Sequence, residues 1–310
     1  MATDDIEIQI GKIQEVKNLE EEKLLALPNV VGVGVGNKQV KGKTKDELCV
    51  SIYVKEKVSP DALPPDGAVP DDFDGIKTDV IEVGDIEAQA YTARIRPAKP
   101  GYSMGHFRIT AGTFGCLVRD ICPPCRTYIL SNNHVLANSN AASAGDPILQ
   151  PGRVDGGTYP NDYIARLERF VPIRFNDPDR YNLVDAALAR PRDQRDVVAS
   201  IVAIGTPKGV VEARPGMRVL KSGRTTQTTT GTVIGVDATI AVGYGASGVA
   251  YFRNQILTTN MSQGGDSGSL LLSRDEAKAT GLLFAGSSQV TVHNNITNVL
   301  MGLGVELITA

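Results

Sequence analysis

The stretch Gln263–Ser269 sets a serine between an aspartate and a glycine, behind two further glycines and ahead of the apolar run Leu270–Leu272. Ser267 therefore has the setting of a nucleophile on a tight turn. Glycines let the backbone take positive φ and let a substrate come close. Successive N–H groups of such a turn can converge on a developing oxyanion, and Gly265 and Ser267 are the candidate donors. A serine hydroxyl becomes reactive only when a base takes its proton and a third group orients that base. The candidate base is His134, which follows the apolar strand-like run Thr127–Ser131 and enters a polar loop, Ala137–Ala144. Of the other two histidines, His106 lacks comparable surroundings, and His293 is a candidate for lining a substrate pocket. The candidate carboxylate is Asp185, a single charge inside the apolar run Tyr181–Ala189. A charge so placed requires a hydrogen-bonded partner. Asp177 and Asp179 flank Pro178 as ordinary loop residues, and Asp162 is a weaker competitor.

Elements must hold these groups together. From Ile109 onward the chain consists of short apolar runs separated by glycine, proline and aspartate, the pattern of an all-β sandwich or barrel. Phe114–Val118 and Thr127–Ser131 read as adjacent strands. Cys122 and Cys125 would lie at the tip of their hairpin, as a plain turn rather than half of a zinc site or a redox pair. A short helix over Asn295–Gly302 and a final strand at Val305–Ile308 close the sequence. The first hundred residues differ. Ile8–Leu27 predicts an amphipathic helix with Ile10, Ile13, Val16 and Leu19 on one face and Pro28 as its stop. Strands follow at Asn29–Gly36, Glu47–Val54 and Ile76–Val83, with a proline- and aspartate-rich loop at Ser59–Gly75. Gly32, Gly34 and Gly36 read as a glycine-spaced strand, since no helix follows them as a nucleotide loop requires. Arg94–Gly101, with two prolines, reads as an extended linker.

In chain order the three reactive candidates are His134, Asp185 and Ser267. At this point the sequence resembles the trypsin-like, chymotrypsin-fold serine peptidases, which carry that order on two β-barrels. The motifs concerned are Leu130–Val135, Val184–Leu188 and Gly265–Ser269. A fourth, Lys221–Thr226 leading to Gly231–Val233, resembles a strand of the bacterial alpha-lytic and streptogrisin-type enzymes. The likeness covers roughly residues 105–310. With an α+β unit in front, the layout is similar to intracellular bacterial and plant narrow-leaf-type members.

The resemblance implies a mainly β fold of two antiparallel chymotrypsin-like barrels, about residues 105–192 and 198–310, within a domain spanning 99–310, preceded by a small α+β domain over 1–98. It implies a serine endopeptidase acting through an acyl-enzyme, with catalytic His134, Asp185 and Ser267 and an oxyanion hole at Gly265 and Ser267. The strand Leu282–Ser287 resembles the one that pairs with substrate backbone, which makes Phe284, Ala285 and Gly286 substrate-binding. Six residues before the serine, where trypsin has an aspartate, stands Met261. That removes the basis for lysine or arginine preference and implies an apolar or small side chain before the cleaved bond. Many relatives are activated by a new amino terminus that pairs with the aspartate before the serine, here Asp266. Ile109 follows Arg108 as in such cleavage sites but lies too close upstream of His134 to reach Asp266, so no such activation is expected. Ser269 replaces a commoner glycine, and Val135 a usual cysteine. Two other readings use the same residues: a catalytically silent peptidase-fold binding or scaffold protein, and an esterase.

Composition bounds the rest. With 310 residues, 42% apolar and 22% charged, the chain can bury a full core, and a net charge of −3 gives no reason to expect nucleic acid or an anionic membrane as partner. The expected partner is a protein or peptide substrate, with no cofactor and no metal. Self-association into a homo-oligomer stays open, as does the role of the N-terminal unit: inhibition, recruitment, assembly or structure. The start Met1–Asp5 is acidic and unlike a secretion signal, so a cytoplasmic location is expected. Cys49, Cys116, Cys122 and Cys125 are then expected as free thiols.

Overall fold

The structure, a computed structural model, describes residues 3–40, 43–59, 62–64, 67–84 and 91–310. By contacts the chain divides into two units, Met1–Gln89 and Ala90–Ala310.

The first unit has a helix, α1 (Thr3–Leu25), and four strands, β1 (Val30–Val40), β2 (Lys43–Val54), β3 (Asp72–Phe73) and β4 (Ile76–Glu82), in sheet order β1-β2-β4-β3. β1 and β2 pair antiparallel, and β4 lies parallel to β2. Ile13 and Leu24 of the helix are buried with Val50, Ile52 and Val54 of β2. Leu19, expected on the apolar face, is 76% exposed instead. Tyr53 of β2 lies against β1: a methyl group at Gly32 or Gly34 would sit 3.3 Å from its ring. This close approach accounts for the glycine spacing.

The second unit is mainly β. Its first, barrel-like sheet contains β5 (Ser103–His106), β6 (Gly112–Thr113), β7 (Cys116–Asp120), β8 (Thr127–Ser131), β9 (Pro147–Leu149), β10 (Tyr163–Phe170) and β11 (Ala187–Pro191), with a one-turn helix, α2 (Asn133–Leu136), directly after β8. The second sheet is a closed six-stranded barrel of β12 (Arg218–Gly223), β13 (Gln227–Gly243), β14 (Val249–Thr259), β15 (Leu270–Ser273), β16 (Ala279–Gly286) and β17 (Val290–Asn295). A helix, α3 (Ile296–Leu303), follows, capped by the Asn295 side chain accepting from Thr297 N–H at 2.9 Å. A last strand, β18 (Val305–Leu307), then leaves the second barrel and pairs antiparallel with β7 at the edge of the first sheet.

One core joins the two sheets: Val118, Tyr128 and Leu130 pack with Leu270, Leu272 and Leu282 and with Ile296 and Val299 of α3. Each fully buried aliphatic side chain of this kind contributes about 1.5–3 kcal/mol. β7 and β8 pair as expected. The tip of their hairpin carries Cys122 and Cys125 as exposed free thiols, with Cys49 and Cys116 buried and free.

Residues 94–101, expected as a linker, are instead laid along the second unit. Arg94 Nε donates to Asp162 at 2.8 Å, Arg96 Nη2 to the Gln150 carbonyl at 3.1 Å, and Ala98 N–H to the Asp196 carbonyl at 2.7 Å. Residues 94–101 thus belong to the second unit. The prolines stiffen the segment, but its arginines bind acceptors on the sheet.

Candidate active site

Every residue of the candidate site lies in the second unit. β8 runs into α2 and delivers His134, whose side chain remains 23% exposed while Asp185 is fully buried. His134 Nδ1 lies 2.6 Å from Asp185 Oδ2, and the His134 backbone N–H donates to Oδ1 at 3.2 Å. The backbone of Asp185 is held as well. Its carbonyl accepts from Asn132 Nδ2 at 2.8 Å, and its N–H donates to Asn294 Oδ1 at 3.0 Å. Asn294 in turn donates to Gln255 Oε1 at 2.7 Å. Both barrels therefore fix the backbone of Asp185. Tyr244, at the end of β13, donates its hydroxyl to Asp185 Oδ2 at 2.8 Å.

Ser267 sits on the turn between β14 and β15. A methyl group at Gly112 would lie 2.4 Å from Val135 Cγ2 and 3.0 Å from the Ser267 carbonyl oxygen. The residue after His134 and the backbone of Ser267 thus converge on one point of β6. Thr113 N–H donates to the Ser267 carbonyl at 2.8 Å, and Gly268 N–H to the Leu283 carbonyl at 2.8 Å. Gly265 and Gly268 have φ of +98° and +97°. Side chains there would also collide, within 2.5 Å of Thr225 Oγ1 and 2.1 Å of Ser131 Oγ respectively. The turn therefore requires glycine at both places.

Within the turn, Asp266, Gly268 and Ser269 N–H groups all have carbonyl acceptors, whereas among the described residues the N–H groups of Gly265 and Ser267 have none. One of these unpaired donors is the serine's own N–H and the other lies two residues before it. Ser267 Oγ likewise has no hydrogen-bond partner among the described residues; bonds of this kind often tighten only when substrate is bound.

The turn is anchored by Asp266, which is fully buried. Lys221 Nζ, also fully buried, lies 3.2 Å from its Oδ2. Thr226 Oγ1 donates to the same oxygen at 2.6 Å and Gln263 N–H at 3.0 Å, while Thr225 and Thr226 N–H donate to Oδ1 at 2.9 and 3.1 Å. Burial lowers the Lys221 pKa, and the Asp266 charge opposes that shift. Ile109 N–H is engaged with the His106 carbonyl at 3.0 Å.

Two cavities meet at Ala285 and Gly286 of β16. One, about 500 Å³, is bounded by Asn260, Ser262, Gln263, Ser267, Ser287 and Ser288 among others. The other, about 390 Å³, is bounded by His134, Ser139, Tyr244 and Phe284–Gly286. Ala285 and Gly286 line both cavities, and Phe284 lines the second. Met261, expected with them, lines neither. It is 4% exposed and packs with Val219, Val233, Ile256 and Leu271 in the barrel core, outside the lining of either cavity. The alternation of the chain turns Asn260 and Ser262 to the cavity and Met261 away from it. Ser262 Oγ bonds Thr291 Oγ1 at 2.8 Å, so the wall is polar and uncharged rather than apolar.

His293, expected as a pocket residue, is fully buried on β17 against Thr258 Oγ1 at 3.1 Å. Burial, with a smaller contribution from the Lys221 charge, pushes its pKa down to about 3. His106 is buried beside Asp146 at 3.1 Å, and Asp162 is taken up by Arg94 and Thr158. Neither belongs to the site. Sequence reasoning missed Tyr244, Asn294 and Gln255, which no spacing connects to Asp185. It also missed the role of Lys221, although a lysine inside the apolar strand β12 was a signal for a buried partner. Among the described residues no group of three potential metal ligands occurs, and no helix is long and apolar enough to cross a membrane.

No family model matches the sequence, and no curated protein matches it. Solved structures do. Protease A of Thermobifida fusca is similar at 22% identity and a TM-score of 0.50, the match covering 68% of this chain and 98% of that one. The Nocardiopsis protease is similar at 19% identity and a TM-score of 0.50, again over 68% and 98%. An alpha-lytic protease homologue, N4, matches at 15% identity with a TM-score of 0.48, over 68% and 99%. With the barrel-like sheet, the closed barrel and the cleft lined from both, the first two of these likenesses give this chain the chymotrypsin-like fold of the bacterial serine proteases.

Proposed function

We propose that this protein is a serine endopeptidase using Ser267 as nucleophile, His134 as general base and acid, and Asp185 as the group that orients His134. One observation carries the reading: the 2.6 Å His134–Asp185 bond stands beside a serine turn whose Gly265 and Ser267 N–H groups are both unpaired among the described residues. Nδ1 of His134 is tied to the buried carboxylate, which leaves Nε2 to accept the Ser267 proton as Oγ attacks the substrate carbonyl. The two N–H groups then bind the oxyanion, each contributing on the order of 3 kcal/mol to the transition state. His134 returns the proton to the leaving amine, and water hydrolyses the acyl-enzyme. Ala285 and Gly286, at the end of β16 between the two cavities, offer backbone along which a peptide can add as a strand. Asp266 already has Lys221 as its cation and four further donors, which supports a site assembled without a new amino terminus.

A fluorophosphonate probe tests this on the full chain. Wild type is expected to be labelled and Ser267→Ala not. Labelling of neither would favour a catalytically silent binding or scaffold protein. Labelled enzyme that hydrolyses esters but no peptide would favour an esterase.

A further inference from the structure

Asp185 is fully buried, and a buried carboxylate persists as an anion only when donors surround it. Among the described residues its carboxylate has three donors. Two come from His134 itself, through N–H and Nδ1. The third is the Tyr244 hydroxyl, at 2.8 Å from the oxygen that also faces Nδ1. Tyr244 comes from the other barrel, at the tip of the β13–β14 hairpin. Its ring meets His134 edge-on with centroids 6.0 Å apart, and it packs on Phe175 at 5.4 Å and Phe252 at 6.2 Å. The tip is seated on a loop between β10 and β11: Asn176 N–H donates to the Val249 carbonyl at 2.7 Å, and Val249 N–H donates to Asn176 Oδ1 at 3.0 Å. Within the tip, Tyr244 N–H donates to the Gly248 carbonyl at 2.8 Å.

We propose that Tyr244 is a positioning residue, whose hydroxyl fixes the Asp185 carboxylate against His134 and so makes the seating of the β13–β14 hairpin tip a condition for an active Ser267. This rests on the proposed serine-nucleophile reading. Burial, and then the Asp185 charge, hold the Tyr244 phenol well above its ordinary pKa, so it keeps its proton and stays a donor. A hydrogen bond to a charged, buried acceptor is among the stronger ones in proteins. Its loss leaves the carboxylate held by His134 alone, with no donor from the second barrel.

The variant Tyr244→Phe removes the hydroxyl and keeps the ring that packs on Phe175 and Phe252. Two readouts apply to the full chain. The first is the rate of fluorophosphonate labelling of the folded fraction, expected to fall on the order of 10-fold in Tyr244→Phe, with a melting temperature lower by roughly 5 °C for the lost bond to a buried charge. Asn176→Ala, which touches none of His134, Asp185 and Ser267, is expected to slow labelling in the same direction by loosening the tip. The second is the low-field proton resonance of the His134 Nδ1–H shared with Asp185, expected to shift or broaden in Tyr244→Phe. Identical resonances in wild type and Tyr244→Phe would overturn the role of Tyr244 and leave the nucleophile standing. An unlabelled wild type would remove the nucleophile reading, and the resonance would still decide whether Tyr244 governs the His134–Asp185 pair.

Discussion

Replacing Lys221 by methionine keeps the stem's length and removes one charge from beneath the serine turn. Lys221 and Asp266 are both fully buried, 3.2 Å apart, so the variant strands a carboxylate without its cation. Removing one partner of a buried ion pair costs about 3–5 kcal/mol. Here the Asp266 oxygens keep four donors, from Thr225 N–H, Thr226 N–H, the Thr226 hydroxyl and Gln263 N–H. The cost should therefore fall at the low end, about 3 kcal/mol. For a domain of this size that is a fall in Tm of roughly 10 °C. Activity should fall further than stability, because Gln263 and Asp266 bracket Gly265, one of the two proposed oxyanion donors. Calorimetry gives the first quantity and fluorophosphonate labelling of the folded fraction the second. Adding Asp266→Asn removes the stranded charge and should restore part of the Tm. It should not restore labelling, since an amide nitrogen facing Gln263 N–H cannot accept its bond. A Lys221→Met protein that melts within about 2 °C of wild type and is labelled at the wild-type rate would refute the argument that this pair holds the turn.

Two further outcomes follow from the same barrel. His293 has a pKa near 3 when folded, below its ordinary 6.5, so the unfolded chain takes up a proton first as pH falls. Its contribution to stability is complete above pH 6.5 and is lost between there and about pH 3, at up to about 1.4 kcal/mol per pH unit. Urea unfolding of wild type and His293→Gln between pH 7 and 4 should show this slope in the first and its loss in the second. The wall formed by Asn260, Ser262, Ser287 and Ser288 carries hydroxyl and amide groups and no charge. A peptide library should therefore show preference for an uncharged polar side chain before the cleaved bond. Dominant cleavage after lysine, arginine, aspartate or glutamate would count against the assignment of this wall.

The catalytic candidates were legible because each sits in a short local pattern. A serine among glycines, a histidine ending an apolar strand and a lone aspartate in an apolar run announce themselves over five or six residues. Paired strands such as β7 and β8 were legible for the same reason. What could not be read depends on contacts between distant segments. Tyr244 stands among glycines in a stretch that resembles any loop, and only the folded hairpin brings it to Asp185. Met261 was placed by its distance from Ser267, yet the path of the chain just beyond β14 decides which way each side chain points and turned it into the core. Residues 94–101 have linker composition, but arginines that bind Asp162 and Gln150 turn composition into packing.

β18 joins residues 305–307 to β7, and Arg119 and Glu306, which face each other there at 2.6 Å, are 187 positions apart in the chain. During synthesis β7 and β8 leave the ribosome long before that partner exists, and until then β7 presents an open strand edge. The half that carries His134 and Asp185 is thus finished by a segment from the far side of the half that carries Ser267. Closing so long a loop is slow, and it makes completion of both halves one late event. A nascent chain that stops short of residue 305 has all three proposed catalytic side chains and an unfinished sheet, a state in which edge-to-edge aggregation competes with folding.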